Sequence, residues 1–196
     1  MSRFSSLTPD QLDAEQRSLY DAILHGRRAA APGRPSGLTA EDGSLVGPFN
    51  AYLRAPKVGT RLSDLGEALR FDTTLPKNLL ELAVIVVARH WSAQFEWYAH
   101  SRMALAAGVS PDIVDAIAHR KPPAFTDPEE ALVHRFAREI VENHHVSEGT
   151  YRDATDRFGE QQVFELTALV GFYGAVSAVL NTFEVQLPAG VDPLPA

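Results

Sequence analysis

The sequence predicts an all-α fold, a single-domain helical bundle. Three observations carry that reading. Apolar residues recur at helical spacing in one segment after another. Several segments open on a capping residue followed by proline, as in Thr8-Pro9, Ser110-Pro111 and Asp127-Pro128. No stretch alternates apolar and polar residues as a half-buried strand would; residues 82–87 are rich in β-branched side chains, but their flanks are helical. With 196 residues the chain is long enough for one domain with a real core, expected over about 7–183.

The elements follow in order. Thr8, Pro9 and Gln11 form a capping-box start, and Leu12, Leu19, Tyr20 and Ile23 share one stripe, so one helix is expected from there to about His25. Residues 26–47 change composition. Residues 29–37 read AAAPGRPSG, which predicts a loop of some twenty residues, long enough to be functional, as a lid over a pocket, or else a surface insertion. Residues 48–53 form a short helix stopped by Pro56, and 58–70 a longer one with Leu62, Leu65 and Leu69 on one side. Pro76 opens a helix whose face is Leu79, Leu80, Ala83, Val84 and Val87. Ser110 caps another, and Asp127 a third that runs to about Glu142. Ser147 opens a short helix, and 161–181, apolar almost all round, is expected to be central, with Gly171 and Gly174 admitting a close neighbour. The tail, 187–196, is expected to be an extended arm.

Composition narrows the chemistry. Hydrophobic residues make up 45% and charged residues 22%, ordinary for a globular protein. The net charge of −7, with no basic tract beyond Arg27-Arg28, speaks against nucleic acid as a partner. The chain has no cysteine, which removes disulfides, thiolate nucleophiles and thiolate metal ligands. The start MSRFSSLTPDQ carries no signal-like apolar run, and the greasiest stretch, 166–180, is too short to span a bilayer. A cytoplasmic protein that does not associate with membranes is the expectation.

The densest chemistry lies in ARHWSAQFEWYAH, residues 88–100. Glu96 and His100 are four apart, so on a helix they share one face within hydrogen-bonding reach. A carboxylate beside an imidazole is a usable general acid/base pair; the plain alternative is a surface ion pair. Phe95, Trp97, Tyr98 and Met103 make most of that helix apolar, which argues for a desolvated pair with coupled titration. Glu81 stands in the apolar run LLELAV and needs a partner. On one straight helix it would be about 22 Å from Glu96. A break at 90–92, with Ser92 as the new cap, would fold the two helices back and bring Glu81 level with His100.

The segment ELAVIVVARHWSAQFEWYAH, with Gly108-Val109-Ser110 beyond it and LTPDQLDAEQRSLYDAI and GPFNAYLRAP before it, resembles the carboxymuconolactone decarboxylase family, related to alkyl hydroperoxidase D. The resemblance covers about 7–183. The peroxidase branch carries a glutamate, two cysteines and a histidine, which fall on Glu81, Ala93, Glu96 and His100. Both sulfurs are missing, so the resemblance implies a non-redox, decarboxylase-like branch without thiol peroxidase chemistry. It also implies an all-helical subunit that assembles into trimers or hexamers. In the reaction it suggests, a carboxylated unsaturated lactone or other enolisable acid loses carbon dioxide without a cofactor or metal. His100 would donate the proton, Glu96 would orient it, and Glu81 would complete the relay or hold a water. Arg89 is a candidate for binding a substrate carboxylate, with a salt bridge as its plain alternative. His90, Trp91 and Tyr98 are candidates for lining the pocket, with core packing as the alternative for the two aromatics. A silent family member that binds a small acid, or serves as an assembly subunit, is the competing function.

The remaining polar groups read as ordinary surface. Glu142-Asn143-His144-His145 has one Glu-x-x-His where a di-iron bundle uses two, so it reads as a helix end. Glu130 and His134, among Glu129, Arg135 and Arg138, read as a solvated face, and His119-Arg120-Lys121 as a helix C-terminus stopped by Pro122. Nucleophile-elbow, P-loop and dinucleotide fingerprints are absent.

Overall fold

The structure, a computed structural model, describes residues 2–30 and 37–195. Among them are eight α-helices and two 3-10 turns, with no strand. The helices are α1 (Ala14–His25), α2 (Phe49–Tyr52), α3 (Pro56–Phe71), α4 (Lys77–His90), α5 (Gln94–Ala106), α6 (Pro111–Ala118), α7 (Pro128–Asn143) and α8 (Glu148–Thr182).

The centre is α4. Every residue from Leu79 to Arg89 is buried, as a helix apolar on all sides requires. It packs against α5, α7 and α8. Phe136, Leu166, Leu169 and Val170 complete the core around it. A second apolar cluster joins α1 and α2 through Leu19, Tyr20, Ile23, Phe49 and Leu53, and Leu62 of α3 packs against both clusters.

Several expectations change in detail. The first helix is broken in two. Thr8 opens only the 3-10 turn Pro9–Gln11, and Asp13 caps α1, accepting from the Gln16 amide at 2.8 Å. The segment 26–47 is more structured than a plain loop. It begins with the 3-10 turn Arg27–Ala30 and ends with a lone bridge between Thr39 and Leu45, which with Leu38 buries two leucines. Residues 31–36 of that expected loop lie outside the described residues, as does Ala196 of the tail.

The helices expected from Ser147 and over 161–181 are the two parts of α8, which breaks at Gly159 (φ 77°, ψ 165°). By length and composition α8 suffices to cross a membrane, but half of its apolar window is buried inside the fold, as in a core helix. Among the described residues nothing stands within 4 Å of a Cβ added at Gly171, and at Gly174 the Trp91 indole nitrogen would stand 3.8 Å away, so neither glycine admits a close helix. Nor is the face around Glu130 and His134 solvated. Glu130 is buried and accepts from Asn78, while the His134 ring lies 5.0 Å from that of Phe125.

Candidate active site

On a continuous helix Glu81 and His100 would stand about 28 Å apart. The chain avoids this by turning at 91–93. Ser92 takes the left-handed conformation (φ 48°) and the Ala93 amide bonds back to Ala88 O at 2.9 Å. Ser92 is not the cap expected of it; Ala93 holds that position without a side-chain bond, and the Ser92 hydroxyl accepts from Arg89 and Arg120 instead. α5 then runs back along α4.

The result is a buried chain of charges. His100 Nδ1 lies 2.6 Å from Glu81 Oε2, and Nε2 lies 3.0 Å from Glu96 Oε1. Arg70, at the end of α3, donates to Glu81 Oε1 at 2.9 Å and to the Tyr173 hydroxyl at 3.1 Å. The Tyr173 ring stands edge-on to the imidazole at 4.9 Å. Glu81, Glu96 and His100 are each no more than 6% exposed. With His100 protonated, Arg70, Glu81, His100 and Glu96 together carry no net charge, which is how ionised groups remain tolerable away from water.

The electrostatics follow from this geometry. Burial works against an imidazolium at His100. The Tyr173 oxygen and the Glu81 and Glu96 carboxylates outweigh it and raise the pKa from 6.5 to about 10. Burial likewise works against the Glu81 carboxylate, but His100 and Arg70 hold its pKa down to about 2. The imidazole is therefore a cation at neutral pH, with a carboxylate on each nitrogen.

Glu96 and His100 face a cavity of about 70 Å³, open to solvent on one side. Its walls are mostly aromatic and apolar, from Pro48, Phe49, Tyr52, Phe95, Met103, Phe172 and Val176, with Arg28, Arg70 and Tyr173 adding polar groups. Glu81 lies behind this wall and lines a separate cavity of about 200 Å³ with Lys77, Ala106 and Ala107.

The structure thus joins Glu81, Glu96 and His100, and places the other four sequence candidates elsewhere. Arg89 is buried and its fork is spent on Ala118 O (2.7 Å), Ser92 Oγ (3.1 Å) and Pro195 O (3.0 Å). With His90 it borders a different cavity, of about 250 Å³, among Arg120, His134, Arg138 and Glu142. Trp91 is 42% exposed in the turn between α4 and α5. Tyr98 packs against Phe95 beneath the Arg102 guanidinium, 4.2 Å from its ring centre. These four sit at the end of α4 or on another face of α5, and so miss the cavity wall.

The residues that sequence reading passes over are Arg70, Tyr173, Tyr52 and Arg28. Tyr173 did leave a signal, since a tyrosine inside an apolar helix brings a hydroxyl that needs a partner. Arg70, Tyr52 and Arg28 come from other elements, and no spacing ties them to Glu81 or Glu96. Among the described residues no group of three or more His, Asp or Glu side chains is arranged to hold a metal ion.

The sequence model of the carboxymuconolactone decarboxylase family matches residues 56–138, the stretch holding Arg70, Glu81, Glu96 and His100. No curated protein sequence matches the chain. Solved structures share its fold. An uncharacterized peroxidase-related protein with an alkylhydroperoxidase AhpD core, from Ralstonia eutropha JMP134, aligns at a TM-score of 0.72 and 16% identity, over 96% of this chain and 93% of that one. The debrominase Bmp8, as a cysteine-to-alanine variant with 2,3,4-tribromopyrrole, aligns at 0.69 and 13%, over 96% and 95%. A protein of unknown function from Agrobacterium tumefaciens, linked by name to the antioxidant defence protein AhpD, aligns at 0.63 and 14%, over 73% and 99%. At these identities the likeness is one of fold. The chain is thus similar to the carboxymuconolactone decarboxylase family over the segment that carries Arg70, Glu81, Glu96 and His100, shares an all-helical fold with the solved structures, and has no cysteine.

Proposed function

We propose that the protein is a cofactor-independent lyase, or a related isomerase, acting on small enolisable acids. A carboxylated unsaturated lactone is the leading substrate class. The observation that carries this reading is the imidazole of His100, held on both nitrogens by carboxylates and facing a largely apolar cavity.

The chemistry needs a place for charge and a proton. The bond between the lactone ring carbon and its carboxylate breaks, and carbon dioxide leaves. The electron pair passes into the ring as a dienolate whose charge rests on the lactone oxygen. A proton then adds to the ring carbon, and solvent restores it to the enzyme. His100 is the proton reservoir. Its Nε2 proton points at Glu96, so delivery runs through or alongside that carboxylate. Glu81, itself held by Arg70, fixes the ring from behind and keeps it charged. Arg70 and His100 also supply the positive potential that a developing dienolate requires.

Peroxide reduction by thiols is not part of this proposal, because the chain has no cysteine and Ala93 and Glu96 stand at the sulfur positions. A cytoplasmic homo-oligomer, a trimer or hexamer, belongs to the same reading.

The test is incubation of the purified protein with 4-carboxymuconolactone, followed by mass spectrometry. A product lighter by one carbon dioxide, lost in a folded His100→Ala variant, is the expected result. Absence of turnover by the folded wild type, or equal turnover by the variant, would remove the reading.

A further inference from the structure

Arg28 is the charged group of the cavity wall that the proton chemistry leaves unused. It sits in the 3-10 turn Arg27–Ala30 and is 6% exposed. Helix α3 builds a seat for it from Ser63, Gly66 and Glu67, which at this spacing share one helix face. Ser63 accepts twice, through its hydroxyl from Nη1 at 3.0 Å and through its carbonyl from Nη2 at 2.8 Å. The Glu67 carboxylate stays 3.7 Å away, a partial counter-charge. Gly66 makes the room, since a Cβ there would stand 2.6 Å from Arg28 Nη2 and 2.5 Å from Phe172 Cζ. A glycine inside a helix costs about 1 kcal/mol against alanine, so the seat is bought at some expense to α3.

Among the described residues, Ser63 takes two hydrogens of the Arg28 fork, and Glu67 is too distant to take a third as a hydrogen bond. Tyr52, on the same wall, is 5% exposed, and its hydroxyl makes no hydrogen bond among the described residues. Burial foremost, and then the Glu96 carboxylate, hold this phenol protonated above its usual range, while Arg28 pulls the other way. The hydroxyl therefore lies within the influence of both Arg28 and Glu96, with a donor to offer.

We propose that Arg28 and Tyr52 form an anion subsite that grips a carboxylate of the substrate not consumed in the reaction. A planar guanidinium fork suits a carboxylate, and the neighbouring phenol adds a neutral donor. The proposal rests on the lyase reading for the site, but its test does not use turnover.

The probe is furan-2-carboxylate, an unreactive planar ring acid, with its neutral amide as control. Binding is measured by titration calorimetry on the full chain. Wild type is expected to bind the acid. Affinity should fall roughly 10- to 100-fold in Arg28→Gln, as loss of a hydrogen bond between charged groups implies. Tyr52→Phe should lose several-fold. Arg138→Gln, a surface change of equal charge, should bind as wild type does. Amide binding should not respond to Arg28→Gln. Should Arg28→Gln fail to fold, Arg28→Lys and Tyr52→Phe carry the test, both with weakened binding. No binding of the acid by wild type, or equal binding by the Arg28 and Arg138 variants, overturns the subsite. Arg28-dependent binding without decarboxylation of 4-carboxymuconolactone would keep the subsite and remove the lyase; decarboxylation without Arg28-dependent binding would do the reverse.

Discussion

His100 Nδ1 and Glu81 Oε2 lie 2.6 Å apart although 19 residues separate them in the chain. That contact exists because the helix hairpin of α4 and α5 turns on a left-handed Ser92. It fixes which way the imidazole faces, with Nδ1 towards Glu81 at the back and Nε2 towards Glu96 at the cavity. The same contact makes stability and protonation one question.

Stability should therefore depend on pH at both ends. Glu81 titrates at about 2 in the folded chain against an ordinary 4.5, so its contribution is complete above the ordinary value and is lost as pH falls towards 2. His100 titrates at about 10 against 6.5, so its contribution is complete below 6.5 and is lost as pH rises through 10. For this cluster the plateau lies between 4.5 and 6.5. Urea denaturation across pH should show that plateau, with the acid limb reduced in Glu81→Gln. A profile identical in wild type and variant would contradict the assignment.

Removing the imidazole should cost far more than removing a surface charge. His100→Ala takes the ion-pair partner of Glu96 and leaves Glu81 with Arg70 alone. Breaking a buried pair in this way costs about 3–5 kcal/mol. Arg138→Ala breaks an exposed i,i+4 pair with Glu142 and should cost only about 0.3–0.5 kcal/mol. Equilibrium denaturation of the two variants gives the comparison; similar losses would mean that the buried charges are not ionised as described.

Gly66→Ala sets two effects against each other. Alanine gains about 1 kcal/mol as a helix former. Its Cβ would meet Phe172 at 2.5 Å and Arg28 at 2.6 Å, and such overpacking costs about 1–3 kcal/mol. The Arg28 end can move aside, but the Phe172 ring is 8% exposed and packed in the core. The net expectation is a less stable protein with lower affinity for furan-2-carboxylate. A stabilised variant with unchanged affinity would show that the seat on α3 is loose.

Arg89→Ala should uncouple stability from ligand binding. Its guanidinium ties α4 to Ala118 at the end of α6 and to Pro195 in the tail. Loss of these bonds should free the tail to limited proteolysis and lower stability by about 1–3 kcal/mol. Affinity for furan-2-carboxylate should stay within about 2-fold of wild type, well under the loss of a charged hydrogen bond. A binding loss as large as that of Arg28→Gln would put Arg89 back among the ligand-binding groups.

The all-helical architecture was legible because α6 and α7 carry strong periodicity behind clear caps, while α4 and the second part of α8 are apolar runs too long for strands. The hairpin was legible too, since Glu81 in an apolar run demanded a partner and its spacing on a straight helix forbade one. The turn itself was misread. Ser92 looked like a cap, but its backbone is left-handed and its hydroxyl faces two arginines. Arg89, His90 and Trp91 looked like pocket residues because they neighbour the site in sequence. Reversal of the chain at 91–93 carries them to the end of α4, away from the cavity. The cations and phenols that complete the site arrive from α2, α3, α8 and the turn at Arg27–Ala30. Those placements depend on tertiary packing, for which local spacing holds no record.

Nitrogen-15 NMR of the His100 ring tests the central claim most directly. The account predicts both ring nitrogens protonated at pH 7 and no titration until about pH 10, with His100→Gln used to assign the signals. A neutral ring at pH 7, with one bare nitrogen, would contradict it, because His100 would then lack the charge and the proton that the proposed chemistry draws on.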